Sequence, residues 1–175
     1  MADDGVAAVI VATAANRPSP HALRAFQKRN GAAARHLELF GVAVPSGLKW
    51  VIGLQGAGED IARFAATMAK DQSPLTHDVL VQRPVEGRLF ARRGLIAPWI
   101  RPGEAAWLEA AMRRDPRDGE ALLAFLSWTA LRQAEADLGL YAATLRAEAW
   151  SPFDFAETDP PEPGPETESL SPTYS

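Results

Sequence analysis

The chain has 175 residues, a formal net charge of −4, a hydrophobic fraction of 47% and no cysteine. The length suits one domain with appendages or two very small domains, and the hydrophobic fraction is sufficient for a core. The lack of cysteine excludes disulfides, a thiolate nucleophile and Cys-ligated metal sites. Asp3 and Asp4 stand where a signal peptide has its cationic leader, and no apolar run approaches the ~18 residues of a membrane span, so we expect a soluble cytoplasmic protein.

The first hundred residues predict the element order β-α-β-β-α-β-β. Residues 6–13 form a continuous apolar run, which is typical of a buried strand. Ser19 followed by Pro20 predicts the start of a helix, and Asn30-Gly31 predicts its end. The remaining predicted elements are strands at 37–44 and 49–54, a helix at 59–70, and strands at 78–82 and 88–92.

This order predicts an α+β fold, a ferredoxin-like arrangement with one extra strand. The strands at 37–44 and 49–54 are close enough in sequence to form a hairpin. A second hairpin is predicted between the strands at 78–82 and 88–92, with Pro84 and Gly87 in its turn. We expect residues 1–100 to form this domain.

After Pro98 the pattern becomes helical. Pro102 predicts the start of one helix, and Asp118 is placed to cap a second. No wide polar face is visible between Leu122 and Leu131, and a helix that is apolar on most sides must be buried. We therefore expect a helical extension over residues 101–150, packed on the domain's own sheet and on a second protein.

Residues 151–175 form an acidic tail with six acidic residues, six prolines and no basic residue, so that the preceding 150 residues carry a formal charge of +2. Such a segment buries too little apolar surface to offset its ordering entropy. We expect it to be solvated and disordered unless it binds a partner. The candidate partner-binding residues are aromatic side chains of the extension and the tail: Trp107, Trp128, Trp150, Phe153 and Phe155.

The stretch WVIGLQGAGEDIARF, residues 50–64, combines a strand-like run, three glycines and a helix-like run. Such turns cradle phosphates in many proteins. Here the glycines follow the order G-x-x-G-x-G after a hairpin strand, whereas a dinucleotide site has G-x-G-x-x-G after the first strand of a βαβ unit. The P-loop lysine is also missing. The pattern favours a geometric role, in which Gly56 and Gly58 permit the sharp turn from strand into helix.

Other site types find little support in the sequence. His21, His36 and His77 lie far apart and have no second ligand at helical or strand spacing, so no metal site is predicted. No G-x-S-x-G elbow is present, and no paired carboxylates support an enzyme. Arg92-Arg93 suggests either contact with nucleic acid or a solvated edge strand, and the low density of basic residues favours the edge strand.

With this element order, residues 6–100 resemble the BLUF family, blue-light sensors that use FAD. In that family the third strand ends in a leucine-glutamate-glycine turn, and here Leu54-Gln55-Gly56 stands at that place. The family's later aspartate, proline, arginine and phenylalanine, and the glycine of its second strand, match residues of this chain without any gap: Asp71, Pro84, Arg88, Phe90 and Gly41. The resemblance implies a ferredoxin-like domain in which flavin lies between the two helices and the sheet.

The family's polar flavin contacts are replaced in this chain. The resemblance places Ile10, or its immediate neighbour, at the family's tyrosine, Ile52 at its glutamine, and Ala34 at the asparagine that bonds the flavin ring. Its arginine-histidine pair corresponds to Ser73-Pro74, and Arg93 stands at its tryptophan, with Leu95 at the nearby methionine place. Burying the polar edge of the ring without partners costs about 1–3 kcal/mol for each group. We therefore expect a degenerate flavin site in which Ile10 and Ile52 fill the former pocket.

Three functions follow from this reading. The first is a flavin-free regulatory or assembly module that contacts another protein, or a second copy, through the C-terminal helices and the tail. The second is an FAD-binding photoreceptor with altered flavin contacts. The third is a small enzyme on a ferredoxin-like fold. The first is favoured, with no cofactor, no nucleic acid and no membrane span.

Overall fold

The computed structural model describes residues 5–14, 19–71 and 76–137. Their elements follow the predicted order, including the two helices predicted after Pro98. In chain order they are β1 (Gly5–Thr13), α1 (Pro20–His36), β2 (Phe40–Ser46), β3 (Lys49–Gly56), α2 (Gly58–Asp71), β4 (Thr76–Val85), β5 (Gly94–Ile96), α3 (Pro102–Arg113) and α4 (Gly119–Asp137). The acidic tail, residues 138–150 of the expected helical extension and Ser73-Pro74 lie outside the described residues.

One five-stranded sheet, in the order β4-β1-β3-β2-β5, organises the fold. β1 pairs antiparallel with both β3 and β4, β2 pairs antiparallel with β3, and β5 pairs parallel with β2. Helices cover both faces. The apolar cluster on one face includes residues of α1 and α2, and the cluster on the other includes residues of α3 and α4. The fold is α+β and ferredoxin-like with one extra strand, as predicted.

The predicted hairpin between the last two strands is wrong. β5 begins at Gly94, not at residue 88, and it lies at the opposite edge of the sheet from β4. The intervening segment is held by the side chain of Gln55, which donates to the Gly87 carbonyl at 2.6 Å and accepts from the Leu89 amide at 2.7 Å. Phe90 is buried in the core beside Gly53. These contacts join residues that are more than thirty positions apart in the sequence, so a local turn signal does not reveal them.

The predicted end of the first helix at Asn30-Gly31 is also wrong, because α1 continues to His36. The Asn30 amide donates to the Phe26 carbonyl, one turn earlier in the same helix. Gly31 faces β5, and a Cβ at this position would lie 3.2 Å from the Leu95 carbonyl oxygen. Asn30 is thus hydrogen-bonded within the helix, and Gly31 allows β5 to lie close to the helix. Neither residue ends the helix. As a consequence β2 begins at Phe40, three residues later than predicted.

The C-terminal helices pack on the second face of the sheet. α3 begins at Pro102, as predicted, and the Asp118 carboxylate accepts the Ala121 amide at the start of α4, which confirms the predicted cap. α4 contacts β1, β2, β3 and β4 and buries Leu122, Phe125 and Leu126. Leu131, by contrast, is 56% exposed. The expected burial of α4 on its own sheet is confirmed, and its contact with a second protein stays a prediction.

Candidate functional site

The face of the sheet covered by α1 and α2 carries the positions at which the resemblance places flavin contacts. Ile10 on β1 stands directly opposite Ile52 on β3 in the antiparallel register. Both are 0% exposed and belong to one apolar cluster. Since successive residues of a strand point to opposite faces, their neighbours Val9 and Val51 belong to the cluster on the other face.

Ala34 joins the same cluster from α1. Phe26, Asn30 and Ala34 follow one another at intervals of four residues and are all buried, so they form the inner side of this helix. Phe26 stacks on Trp50 of β3, with ring centroids 4.1 Å apart. From α2, the same cluster receives Ile61, Phe64 and Met68. Ile10, Ala34 and Ile52 are therefore brought together inside a continuous apolar core.

Arg93 does not join them. It lies in the segment before β5, its side chain is exposed, and its guanidinium pairs with the Glu38 carboxylate at 3.2 Å. Leu95, two residues later, is buried in the apolar cluster. The predicted edge strand over Arg92-Arg93 is absent from the described residues, because the two arginines precede β5. Arg92 is also paired, with Asp137 at 3.0 Å.

The side chains at the three positions that the resemblance indicates offer no polar contact for a flavin ring. Ile10, Ala34 and Ile52 offer no hydrogen-bond donor or acceptor from their side chains and are closed to solvent. Among the described residues, Asn30 is the one buried polar side chain on this face. Its Nδ2 donates to the Phe26 carbonyl at 2.9 Å, and its Oδ1 accepts no hydrogen bond from a described residue. Among the described side chains buried on this face, that oxygen is the polar atom left for a ligand or a water.

The glycines of the strand-to-helix turn act through packing. Within the described ranges the glycines with positive φ are Gly47, Gly87 and Gly94, so Gly56 and Gly58 need no left-handed backbone. A Cβ on Gly56 would lie 2.5 Å from Leu39 Cδ2, whereas one on Gly58 would have its nearest neighbour at 3.6 Å. The expectation that both glycines permit the turn by conformation is corrected: Gly56 makes room for Leu39.

Two of the candidate partner-binding residues lie in the described helices and are half-buried. Trp107 of α3 stacks on Phe125 of α4, with ring centroids 4.8 Å apart. Trp128 of α4 faces the guanidinium groups of Arg101 and Arg132, at 5.6 and 4.9 Å from its ring centroid. Both tryptophans therefore join α3 and α4 to each other or to the segment before α3. Trp150, Phe153 and Phe155 lie outside the described residues.

A buried ion cluster, which the sequence analysis did not predict, joins α3, α4 and the segment before α3. The Glu104 carboxylate is fully buried and accepts from the Arg101 backbone amide at 2.8 Å and from Arg101 Nε at 2.9 Å. It also pairs with Arg132 of α4, whose Nη2 donates to the Trp99 carbonyl at 2.5 Å. A glutamate in the first turn of a helix that begins with proline was a visible capping signal. Nothing local marks Arg132 as its partner.

An open cleft of about 470 Å³ lies at the β5 edge of the sheet. It is lined by residues 96–99, by Gln27 of α1, by Arg92, and by Gln133 and Asp137 of α4. Trp99 in this cleft is 66% exposed. Among the described residues, no group of three or more His, Asp or Glu is placed to hold a metal ion, and no helix is both long and apolar enough to cross a membrane.

Solved structures with a similar fold include BLUF proteins. BlrB, a BLUF protein in its dark state, matches with a TM-score of 0.53 and 16% identity over 73% of this chain and 95% of that chain. BlsA in a photo-activated state matches with a TM-score of 0.55 and 15% identity over 70% of this chain and 91% of that chain. These likenesses show that the chain has a BLUF-like fold.

Some similar chains are longer. This chain spans 64% of the chain of the BlrP1 BLUF structure and 27% of a bacterial light-regulated adenylyl cyclase. No protein-family model and no curated protein matches the sequence.

Proposed function

We propose that the chain is a flavin-free, BLUF-like interaction module that regulates or assembles other proteins. The observation that carries the proposal is the apolar closure of the α1/α2 face. Ile10 and Ile52 pair directly at its centre, Ala34 lies above the sheet on α1, and none of the three is reached by solvent. A flavin ring at this place would have to displace a packed core.

The energetic balance supports this reading. Each polar group of a ring edge that is buried without a partner costs about 1–3 kcal/mol. Apolar side chains at the tyrosine, glutamine and asparagine places leave several such groups unpaired at once. Opening the core would also lose the burial of two isoleucines, each of which contributes about 1.5–3 kcal/mol. No chemistry that depends on flavin is derived for this face.

The proposed contacts with partners lie outside the closed core. We propose the domain boundaries as residues 1–100 for the BLUF-like domain, 101–150 for the helical extension and 151–175 for the acidic tail. The extension and the tail would bind another protein or a second copy, with Leu131 as an exposed apolar point on α4. We propose that its role is neither catalytic nor cofactor-dependent, and we place the protein in the cytoplasm.

The test is the colour and the flavin response of the purified protein. It should be colourless, and added FAD should not raise its Tm. A ligand present at a hundred times its Kd stabilises by ~2.7 kcal/mol, which corresponds to roughly 5–11 °C for a chain of this size. A stoichiometric yellow protein with flavin absorbance would overturn the proposal.

A matched variant sharpens that test. The triple substitution Ile10→Tyr, Ala34→Asn and Ile52→Gln returns the family's polar side chains to their places. Partial recovery of FAD binding, measured as a Tm shift and flavin absorbance, would support a filled BLUF site. If the triple variant folds but does not bind FAD, the chain shares only its fold with the BLUF family.

The second candidate is an FAD-binding photoreceptor with altered contacts. One observation favours it: the Oδ1 atom of Asn30 is buried on the α1/α2 face and accepts no hydrogen bond from a described residue. In this reading Asn30, one helical turn before Ala34, takes over a polar contact. If the purified protein is yellow, Asn30→Ala should release the flavin, whereas the exposed control Gln27→Ala on the same helix should retain it.

A further inference from the structure

The outer side of α1 carries an unbalanced positive charge. The helix contains Arg24, Lys28, Arg29 and Arg35 and no acidic residue. All four are exposed, and none forms an ion pair with a carboxylate of the described residues. Arg24, Lys28 and Arg35 are spaced by four and seven residues, so they project from one side of the helix. Arg29 follows Lys28, about 100° round the helix, and borders that side. We call these four cations the basic face.

Part of this charge is unfavourable for the helix itself. Arg24 and Lys28 lie four residues apart, a spacing at which like charges destabilise a helix. Two carboxylates at the β5 edge are already engaged, since Glu38 pairs with Arg93 and Asp137 pairs with Arg92. An anionic segment bound along α1 would offset the repulsion.

The chain itself supplies such a segment. Residues 151–175 carry six acidic residues and no basic one. The intervening residues 138–150 add one arginine and one glutamate, so the negative charge is concentrated in the tail. Trp150, Phe153 and Phe155 precede or begin the acidic run and supply apolar anchors beside the charges.

The described part of α4 ends close enough to α1 for the acidic tail to reach the basic face. Asp137, the last residue of α4, lines the same cleft as Gln27, which lies between Arg24 and Lys28 on α1. α1 is about 25 Å long at 1.5 Å per residue, and the 17 residues from Asp137 to Asp154 span about that length even if they are helical. A tether this short gives an effective concentration in the millimolar range.

We propose that the acidic tail, residues 151–175, docks on the basic face of α1 in the same molecule, with its aromatic residues at the cleft beside Trp99. The cleft is open, has a volume of about 470 Å³, and includes Pro98 and Trp99 in its lining. The contact is made by side chains, so tail amides remain bonded to water. A partner that binds at the basic face must first displace the tail. This inference does not depend on whether the α1/α2 face binds flavin.

Paramagnetic broadening in the full-length protein tests the proposal. Because the chain has no cysteine, Thr158→Cys gives a single attachment point for a nitroxide in the acidic run. The expected result is broadening of the amide signals of α1 and of residues 92–99. It should disappear near 1 M salt, where the Debye length falls to about 3 Å. Broadening spread evenly over the surface, or insensitive to salt, would overturn the proposal.

Two further measurements complete the test. Arg24→Gln, Lys28→Gln and Arg29→Gln together should weaken docking by roughly 3- to 100-fold, the effect of losing three exposed ion pairs. The matched control neutralises three exposed cations elsewhere, Lys70→Gln, Arg113→Gln and Arg114→Gln, and should leave the broadening unchanged. A last sample mixes isotope-labelled protein without nitroxide and nitroxide-labelled protein without isotope. If the amide signals broaden equally in this mixture, the contact is between molecules and the proposal is wrong.

Discussion

The Glu104 cluster yields the sharpest stability prediction. Glu104→Gln keeps the shape of the side chain and one acceptor for the Arg101 amide, but removes the negative charge opposite Arg132. Both charged groups are buried, so the substitution removes the negative charge of Glu104 from beside a buried guanidinium. Removing one partner of a buried pair costs about 3–5 kcal/mol. For a chain of this length the Tm should fall by roughly 6–20 °C.

The matched control is Glu120→Gln. Glu120 of α4 accepts Arg83 Nε of β4 at 2.8 Å, but both side chains are about half exposed. An exposed pair of this kind contributes about 0.2–1 kcal/mol. Urea unfolding followed by tryptophan fluorescence and far-UV circular dichroism measures both variants. Equal losses of unfolding free energy for Glu104→Gln and Glu120→Gln would refute the assignment of Glu104 to a buried cluster.

A double-mutant cycle separates the ion pair from general packing. Arg132→Met alone leaves the Glu104 carboxylate with Arg101 as its remaining partner and should also be strongly destabilising. The double variant Glu104→Gln/Arg132→Met leaves neither charge buried, so it should lose less than the sum of the two single variants. A coupling energy of about 0.5–3 kcal/mol is expected for groups in direct contact. Additive losses would show that the two side chains act independently.

Three further outcomes follow from the packing and the tail. Gly53→Ala places a Cβ 2.7 Å from Phe90 Cζ and should cost about 1–3 kcal/mol in urea unfolding, whereas Gly58→Ala, with its nearest contact at 3.6 Å, should cost far less. Truncation after Pro98 removes α3 and α4 and uncovers one apolar face of the sheet, so the product should aggregate in size-exclusion chromatography; a soluble monomer of unchanged stability would contradict this. Amides of residues 152–169 should exchange with solvent rapidly in the free protein and be protected only with a partner bound, as hydrogen exchange would measure; strong protection in the free monomer would contradict this.

The element order was predictable because its signals are local. Apolar runs, Pro20 and Pro102 at helix starts, and the Asp118 cap each act over a few residues. The resemblance also placed Ile10 and Ile52 together, and the antiparallel register of β1 and β3 puts them directly opposite each other. The element order depends on patterns within single strands or helices, whereas the placing of Ile10 beside Ile52 depends on the resemblance.

The partner of β5 was not predictable by the same means. Pro84 and Gly87 gave a local turn signal that suggested a hairpin, yet the chain crosses from one edge of the sheet to the other between β4 and β5. The contacts that fix this path, from Gln55 to residues 87 and 89, join positions more than thirty residues apart. Arg132 was missed for the same reason, because its partner Glu104 is 28 residues away and on another helix.

The two-sided cover of the sheet limits how a partner can bind. Among the described residues the large exposed apolar side chains are Leu48, Val79, Trp99 and Leu131. A partner at the β5 edge would therefore gain part of its affinity from the basic face of α1, and its binding should weaken with salt. A partner that uses the basic face alone competes with the acidic tail, so deleting residues 151–175 should strengthen its binding, whereas a partner that binds the tail itself should bind less well after the deletion. A partner that binds around Leu131 should be unaffected by that deletion, because this contact does not use the charges of α1.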